Sequence, residues 1–293
     1  MYITRKRRNK LSHIKIGNIN QAQGKPFTTL FWSKGISHMH RKIQDIKILI
    51  EQHKPHIFGL AEANVLTSHN LADIQIPNYN LHLTTSIGNP NISVARVAAY
   101  THKSITVRRR PDLEDNELQL ICLEAGLPRM KKSLYIVGYR QWQLSGDRAS
   151  SSLAAQDERW TRLFDKWEAA LEEGKEVVTV MDANLDALTW RNEPRHSTST
   201  THRSLIDNIH DRILPMGVEM MTPPLPTWAR GDHRSCLDHV YTTSPAKLSA
   251  VSVIWTGMSD HAANKFHRYT KALQIIETYL KEKNVQKLQT QRV

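Results

Sequence analysis

Near its C-terminus the chain reads "IWTGMSDHAANKFHRYTK". An apolar, strand-like run from Val251 to Trp255 ends at Gly257, and Ser259, Asp260 and His261 follow at once. A carboxylate beside an imidazole can fix a tautomer or hold a metal, but surface Asp-His pairs are common and mean little without partners. The partners stand at the ends of other apolar runs. Asn18 stands near the end of the run in "HIKIGNIN", Glu62 follows "HIFGLA", Tyr139 closes "SLYIVGY", Asp182 and Asn184 follow "EVVTVM", and Asp238 opens "DHVYTT". Singly, each has an ordinary reading: Asn and Asp as turn residues, Glu62 as a solvated edge, Tyr139 as a packing side chain. Together they fall at strand ends, where loops gather and sites are built.

The chemistry that needs this set is hydrolysis of a phosphate ester. The ester is anionic, so attack by water is slow until charge is offset and a proton removed. A hard divalent cation held by one or two carboxylates offsets the charge. Asn, Tyr and His can hold phosphoryl oxygens without adding negative charge. An acid–base pair handles the proton, and a second carboxylate fixes the tautomer of the histidine. Asp238 is the candidate for that orienting role.

Positioning these groups requires strands that end together. "HIKIGNIN" reads as a strand ending near Asn18. In "SHMHRKIQDIKILIEQHKP", Met39, Ile43, Ile46 and Ile50 share one helical face, Ser37 is the expected N-cap and Pro55 the stop. "HIFGLAEAN" follows as a buried strand, and β-rich stretches succeed it at 79–84, 93–101, 104–109, 118–124 and 133–139. A long helix covers "SSLAAQDERWTRLFDKWEAALEEG", with Leu153, Trp160, Leu163, Trp167 and Leu171 at helical spacing and Gly174 as C-cap. A second helix near 201–214 and strands at 218–221, 237–242 and 250–255 complete the pattern. Many consecutive strands with few helices argue for an α/β (α+β) fold of packed sheets with helices outside, not an alternating βαβ array.

Composition narrows the class. The 293 residues carry a net charge of +12, which favours a polyanionic partner such as nucleic acid. No apolar run approaches the roughly 18–20 residues that span a bilayer, so no membrane partner is expected. Two cysteines, Cys122 and Cys236, make no disulfide framework or zinc motif, which suits an intracellular location, nuclear or cytoplasmic. Arg5-Lys6-Arg7-Arg8 reads as an import signal, a phosphate-binding arm or a solvated tail. The expected organisation is a basic arm at 1–13, one catalytic domain at 14–270, monomeric, and a basic helix or linker at 271–293.

In their order, "GNIN", "GLAEAN", "IVGYRQ", "VMDANLD", "SCLDHV" and "SDH" resemble the exonuclease–endonuclease–phosphatase superfamily. Within it the chain is most similar to the apurinic-endonuclease-like domain of LINE-type (non-LTR) retrotransposons. The resemblance implies a four-layered sandwich, two β-sheets packed face to face between helices. It implies Mg²⁺, with Mn²⁺ as a substitute, held by Glu62 with Asn18 and Asp260 close by. Asp182 would position and deprotonate the water, Asn184 and Tyr139 would bind the phosphate, and His261, held by Asp238, would stabilise the transition state. Ser235 and Thr227 fall where relatives have phosphate-contacting hydroxyls, and Arg140, Trp142, Arg230 and Arg234 complete the expected DNA-facing set.

The implied reaction nicks one DNA strand, leaving a 3′-hydroxyl and a 5′-phosphate. In retroelements that hydroxyl primes a reverse transcriptase, carried on the same polyprotein, which copies the element RNA; both are implied partners. Two departures bear on the loops: Met181 stands where the family has glycine, and Trp142, where relatives have Asn, either stacks on a base or packs. "Asn18-Ile19-Asn20" lacks the acidic residue typical of repair enzymes, which argues against abasic-site repair. "WARGDHR", where relatives carry a minor-groove hairpin, is short and basic, suited to phosphates more than to sequence. The alternatives are a phosphatase or phosphodiesterase for inositol phosphates, lipids or RNA, and an inactive nucleic-acid-binding domain.

Overall fold

The structure is a computed structural model that describes residues 26–33, 39–84, 94–115, 117–126, 131–142, 148–188 and 200–269. All but Pro26 fall in one compact unit, Phe27–Tyr269. In chain order the elements are β1 (Phe27–Ser33), α1 (Ile43–His53), β2 (Ile57–Ala61), β3 (Val65–Leu66), β4 (Tyr79–Leu83), β5 (Val94–Ala95), β6 (Ala98–His102) and β7 (Thr106–Arg109). There follow β8 (Leu120–Gly126), β9 (Ser133–Tyr139), α2 (Leu153–Glu172), β10 (Val177–Asp182), α3 (Thr200–Ile213) and β11 (Glu219–Met220). The last are β12 (Trp228–Arg230), β13 (His233–Ser235), β14 (Asp238–Thr242), β15 (Ser252–Ile254) and β16 (Ala263–Arg268).

Two six-stranded sheets result, ordered β15-β16-β1-β2-β6-β4 and β11-β14-β10-β9-β8-β7. Their facing sides enclose Phe27, Phe31, Ile57, Tyr135, Val137, Val178, Val180 and Val240. The outer side of the first sheet packs Leu30, Trp32, Phe58 and Leu60 on Ile43, Ile46 and Ile50 of α1. The outer side of the second packs Leu134, Ile136 and Met181 on Trp160, Leu163 and Trp167 of α2 and Leu205 and Ile209 of α3. This is the anticipated four-layered sandwich. The central strands are buried on both faces, which is why they read as continuous apolar runs.

Gly59 shows how close the sheets approach. A Cβ built there would lie 2.8 Å from Val137 Cγ1 and 3.1 Å from Phe31 Cδ2. Gly138 is its counterpart on the helix side, where a Cβ would meet Leu120 Cδ2 at 2.8 Å and Met181 Cβ at 3.4 Å. Met181, paired in register with Gly138, turns into that helix-side core and does not crowd the loop beyond it.

Most sequence-expected elements are present; α2 is capped by Glu173, one residue before the anticipated cap, and Gly174 follows in the left-handed region (φ 66°). Five strands were not anticipated: β1, β3, the two strands of the β12–β13 hairpin and β16. The run 93–101 is broken into β5 and β6. Leu153 is exposed and Leu171 only half-buried, so the packed stripe of α2 is shorter than its apolar spacing. The strand at "HIKIGNIN", Asn18, the Ser37 cap and the 1–13 and 271–293 segments lie outside the described residues.

Candidate active site

Strand register assembles the site. In β10, Val178, Val180 and Asp182 alternate onto the face between the sheets, and Asp182 is the last of them. Asp182 pairs with Tyr139 at the end of β9 and with Asp238 at the start of β14. The three side chains therefore form one row across adjacent strands, just where the apolar inter-sheet core gives out. From the first sheet, β1 places Ser33 on the same side as Phe31, and the Ser33 hydroxyl donates to Asp182 Oδ2 at 3.0 Å. Glu62, the residue after β2, accepts from the Tyr139 hydroxyl at 3.1 Å. His261 lies just before β16, and its Nδ1 meets Asp238 Oδ2 at 2.9 Å.

The loops hold unusual backbone at these points. Glu62 (φ 52°) and Asn184 (φ 46°) both occupy the left-handed region without being glycine. Asn tolerates that region, whereas Glu does so at a cost that the surrounding structure must sustain. Asn184 is fixed by its backbone N–H on Asp182 Oδ1 at 3.1 Å and by its Nδ2 donating to the Arg140 carbonyl at 2.9 Å. Asp238 is fixed by its own N–H on Thr227 Oγ1 at 2.9 Å and by Asn264 Nδ2 on its carbonyl at 3.1 Å.

The electrostatics divide the groups into acid and base. Burial raises the Asp182 carboxyl to about 7, with the charges of Asp238 and Glu62 adding to it and His261 and Ser33 opposing. Burial disfavours the His261 imidazolium, yet the Asp238 carboxylate outweighs it by charge and hydrogen bond, with help from Asp182 and Asp260, and lifts it to about 10. Burial, with the Glu62 and Asp182 charges, raises Tyr139 and keeps it a phenol that donates. At neutral pH the site thus holds an imidazolium and a carboxyl poised to lose or take a proton, the pairing of opposed shifts that acid–base chemistry requires.

The donor set fits a hard cation. Asp238 Oδ1 is buried with no hydrogen-bond partner among the described residues. Asp182, Asp238 and His261 bring ligand-capable atoms within 4.8 Å of one another. His261 is a poor ligand while protonated, since an imidazolium has no lone pair to give. The carboxylates are the better donors, and among the described residues Glu62, half-buried, has only one oxygen engaged, by Tyr139.

Residues 32–261 match the endonuclease/exonuclease/phosphatase family. The chain belongs to this family. Its members are metal-dependent hydrolases acting on phosphodiester bonds. Among solved structures the fold resembles the endonuclease domain of TRAS1, a telomere-specific non-LTR retrotransposon (TM-score 0.60, 14% identity, 84% of this chain and 100% of that chain). It resembles an AP endonuclease from Leishmania major (0.63, 12%, 83% and 88%). It also resembles a 3′ phosphatase from Neisseria bound to a product DNA hairpin (0.58, 13%, 83% and 100%). At these identities the likeness is one of fold. No curated protein sequence matches the chain.

In this member of the endonuclease/exonuclease/phosphatase family, several side chains expected at the substrate are structural. Arg140 is buried, donating to the Ala183 carbonyl at 2.6 Å, the Asn184 carbonyl at 3.0 Å and Gln156 Oε1. Its guanidinium lies 5.2 Å from the Trp142 ring centroid and 5.7 Å from that of Trp160. It braces the Asp182–Asn184 loop from behind, and Trp142 packs against the helix-side core. Thr227 is buried with its hydroxyl accepting from the Leu237 and Asp238 N–H groups, so it braces Asp238.

Asp260, expected close to the metal, is engaged by the hairpin. Its Oδ2 accepts from Arg230 at 2.9 Å and from the Trp228 indole at 3.2 Å. Burial of Asp260 is outweighed by His261 and these donors, which hold its carboxyl below the usual range. Arg230 and Arg234 are exposed on the β12–β13 hairpin, with Arg234 folded back on the Gly231 and His233 carbonyls, and Ser235 is half-buried opposite Trp228. Trp228 also bridges to His261 in the backbone, so the hairpin is tied to the site. The residue that sequence reasoning missed is Ser33. Its signal was "FTTLFWS", an apolar run ending on a hydroxyl just ahead of the α1 pattern.

Proposed function

We propose that the chain is a divalent-metal-dependent DNA endonuclease that nicks one strand by hydrolysing a phosphodiester. The observation that carries this is the row Tyr139–Asp182–Asp238, flanked by Glu62 and by an imidazolium His261. Glu62 would be the principal ligand of the ion, Mg²⁺ or Mn²⁺, which when bound offsets phosphoryl charge. Asp182 accepts a proton from water as the water oxygen attacks phosphorus in line. The P–O3′ bond breaks, and the 3′-oxygen leaves with the bonding pair and takes a proton from solvent, giving a 3′-hydroxyl with the phosphate left on the 5′ side. His261, held by Asp238, stabilises the charge that builds on the phosphoryl oxygens, and Tyr139 and Asn184 position the phosphate. Asp238 fixes the ring and its proton, as a carboxylate does for a histidine in other hydrolases.

DNA as substrate is supported by the +12 charge and by structural neighbours that act on DNA. The order of motifs and the likeness to a retrotransposon endonuclease support a role in target-primed integration, with a reverse transcriptase as partner. An end-labelled duplex tests the reading: the products should carry a 3′-hydroxyl and a 5′-phosphate. An intact duplex alongside hydrolysed inositol phosphates or lipids would replace the proposal with the phosphatase reading. Binding of DNA with no ester cleaved would replace it with the non-catalytic one.

A further inference from the structure

Arg96 lies in the link between β5 and β6, on the Glu62 side of the row. Its carbonyl accepts from Ala63 N–H at 2.7 Å, which sets it directly beside the loop that carries Glu62. Its N–H donates to Gln119 Oε1 at 3.0 Å, and its Nη1 donates to Asn64 Oδ1 at 2.7 Å. Asn64 and Gln119 are both buried and, like Glu62, hold left-handed φ (48° and 45°). Two left-handed, non-glycine residues thus hold one arginine beside a third, Glu62, and such backbone persists only where its surroundings enforce it.

The guanidinium these residues orient is half-buried, and it forms no ion pair with any described carboxylate. That sets it apart from Arg108, Arg109, Arg110, Arg162, Arg230 and Arg268, each of which holds one. Asn64 fixes the fork without neutralising it. Nε and Nη2 have no protein partner among the described residues. The charge reaches Tyr139, where it opposes the rise of the phenol. The groups acting on Asp182 and His261 are other ones: Asp238, Glu62, Asp260 and Ser33.

We infer that Arg96 binds a phosphate of the substrate strand next to the scissile one, on the Glu62–Tyr139 side of the site. A guanidinium fork matches two phosphate oxygens, and an oriented, unpaired one loses little freedom on binding. The inference rests on the phosphodiesterase reading above, with Arg96 a substrate-binding residue and no part of the proton transfers.

The test compares Arg96→Gln and Arg96→Lys on a DNA duplex and on bis(p-nitrophenyl) phosphate, which has a scissile ester but no flanking phosphate. Arg96→Gln should raise KM for the duplex about 10–100-fold, the range of a lost hydrogen bond to a charged group. On the small diester kcat/KM should stay within about 3-fold, an ordinary mutational scatter. Arg96→Lys should recover part of the duplex loss as a point charge without the fork. Equal losses on both substrates, or none on either, would overturn the inference. In EDTA, duplex affinity read by anisotropy should show a log–log salt slope shallower by about 1 in Arg96→Gln. That readout needs no turnover, so it still decides the inference if the protein cleaves neither ester. Should Arg96→Gln melt early, Asn64→Asp supplies a competing carboxylate and should produce the same duplex-selective loss. An unchanged salt slope in both variants counts against the contact.

Discussion

At the scale of single residues, the account depends on two groups whose titrations are pushed in complementary senses. Asp182, raised to about 7 by burial and by the Asp238 and Glu62 charges, must be ionised to take a proton. His261, lifted to about 10 by Asp238 against its burial, must be protonated to meet charge on the phosphate. We therefore expect kcat to rise with pH through a limb at or below about 7, lower when a cation is bound, and to fall near 10. A profile flat through the acid range would contradict Asp182 as base. Asp238→Asn removes the charge that holds the imidazolium. Its alkaline limb should drop toward the ordinary imidazole range near 6.5, and activity should fall about 100–10,000-fold. The same ion pair bears on stability. Because the folded His261 value lies above the unfolded one, the stabilisation is complete below about 6.5 and is lost as pH climbs through about 10. Thermal melts from pH 6 to 10 should show that decline, and Asp238→Asn should flatten it. The identities of these residues were legible in the sequence because each sits at the end of an apolar run. Ser33 was not, since a serine after "FTTLFW" looks like any strand end until Asp182 is seen beside it.

Among elements, the same alternation explains both what could be read and what could not. Val178, Val180 and Asp182 announce their strand because the apolar run is unbroken. β1 is as deeply buried, but Thr28 and Thr29 interrupt its apolar character, and the Thr29 hydroxyl lies in the interior without a hydrogen bond among the described residues. β16 reads as polar, yet Asn264 is spent on the Asp238 carbonyl and Arg268 on Glu176 inside the fold. Arg140 looked like a DNA contact for the converse reason: a cation beside a site residue is ambiguous until its burial is known. Replacing it with Met would leave the Ala183 and Asn184 carbonyls short of donors. We expect a loss of about 1–3 kcal/mol in stability and a lower kcat, with the salt slope of DNA affinity unchanged. Chemical denaturation and anisotropy titrations check the two halves. Gly59→Ala should cost about 1–3 kcal/mol by forcing Val137 and Phe31 apart, read as a fall in the denaturation midpoint.

For the whole molecule, packed sheets with helices outside were legible from the ratio of strands to helices, and the family from the order of short motifs, five of which fall within the matched residues 32–261. What the order could not supply was orientation. Asp260, adjacent to His261 in sequence, turns to Arg230 and Trp228 on the hairpin, because neighbours leaving a bend point to different sides. The +12 charge belongs to this scale as well. DNA affinity should fall with a log–log slope of about −0.9 for each phosphate neutralised, and a flat titration would count against a basic contact surface. The central claim, that the strand-end row hydrolyses a phosphodiester with a divalent cation, is met most directly by nicking of supercoiled plasmid. The account predicts relaxed circles with Mg²⁺, none with EDTA, and a loss of at least about 100-fold in both Glu62→Ala and His261→Ala. Nicking that survives EDTA, or that both variants retain, would contradict it.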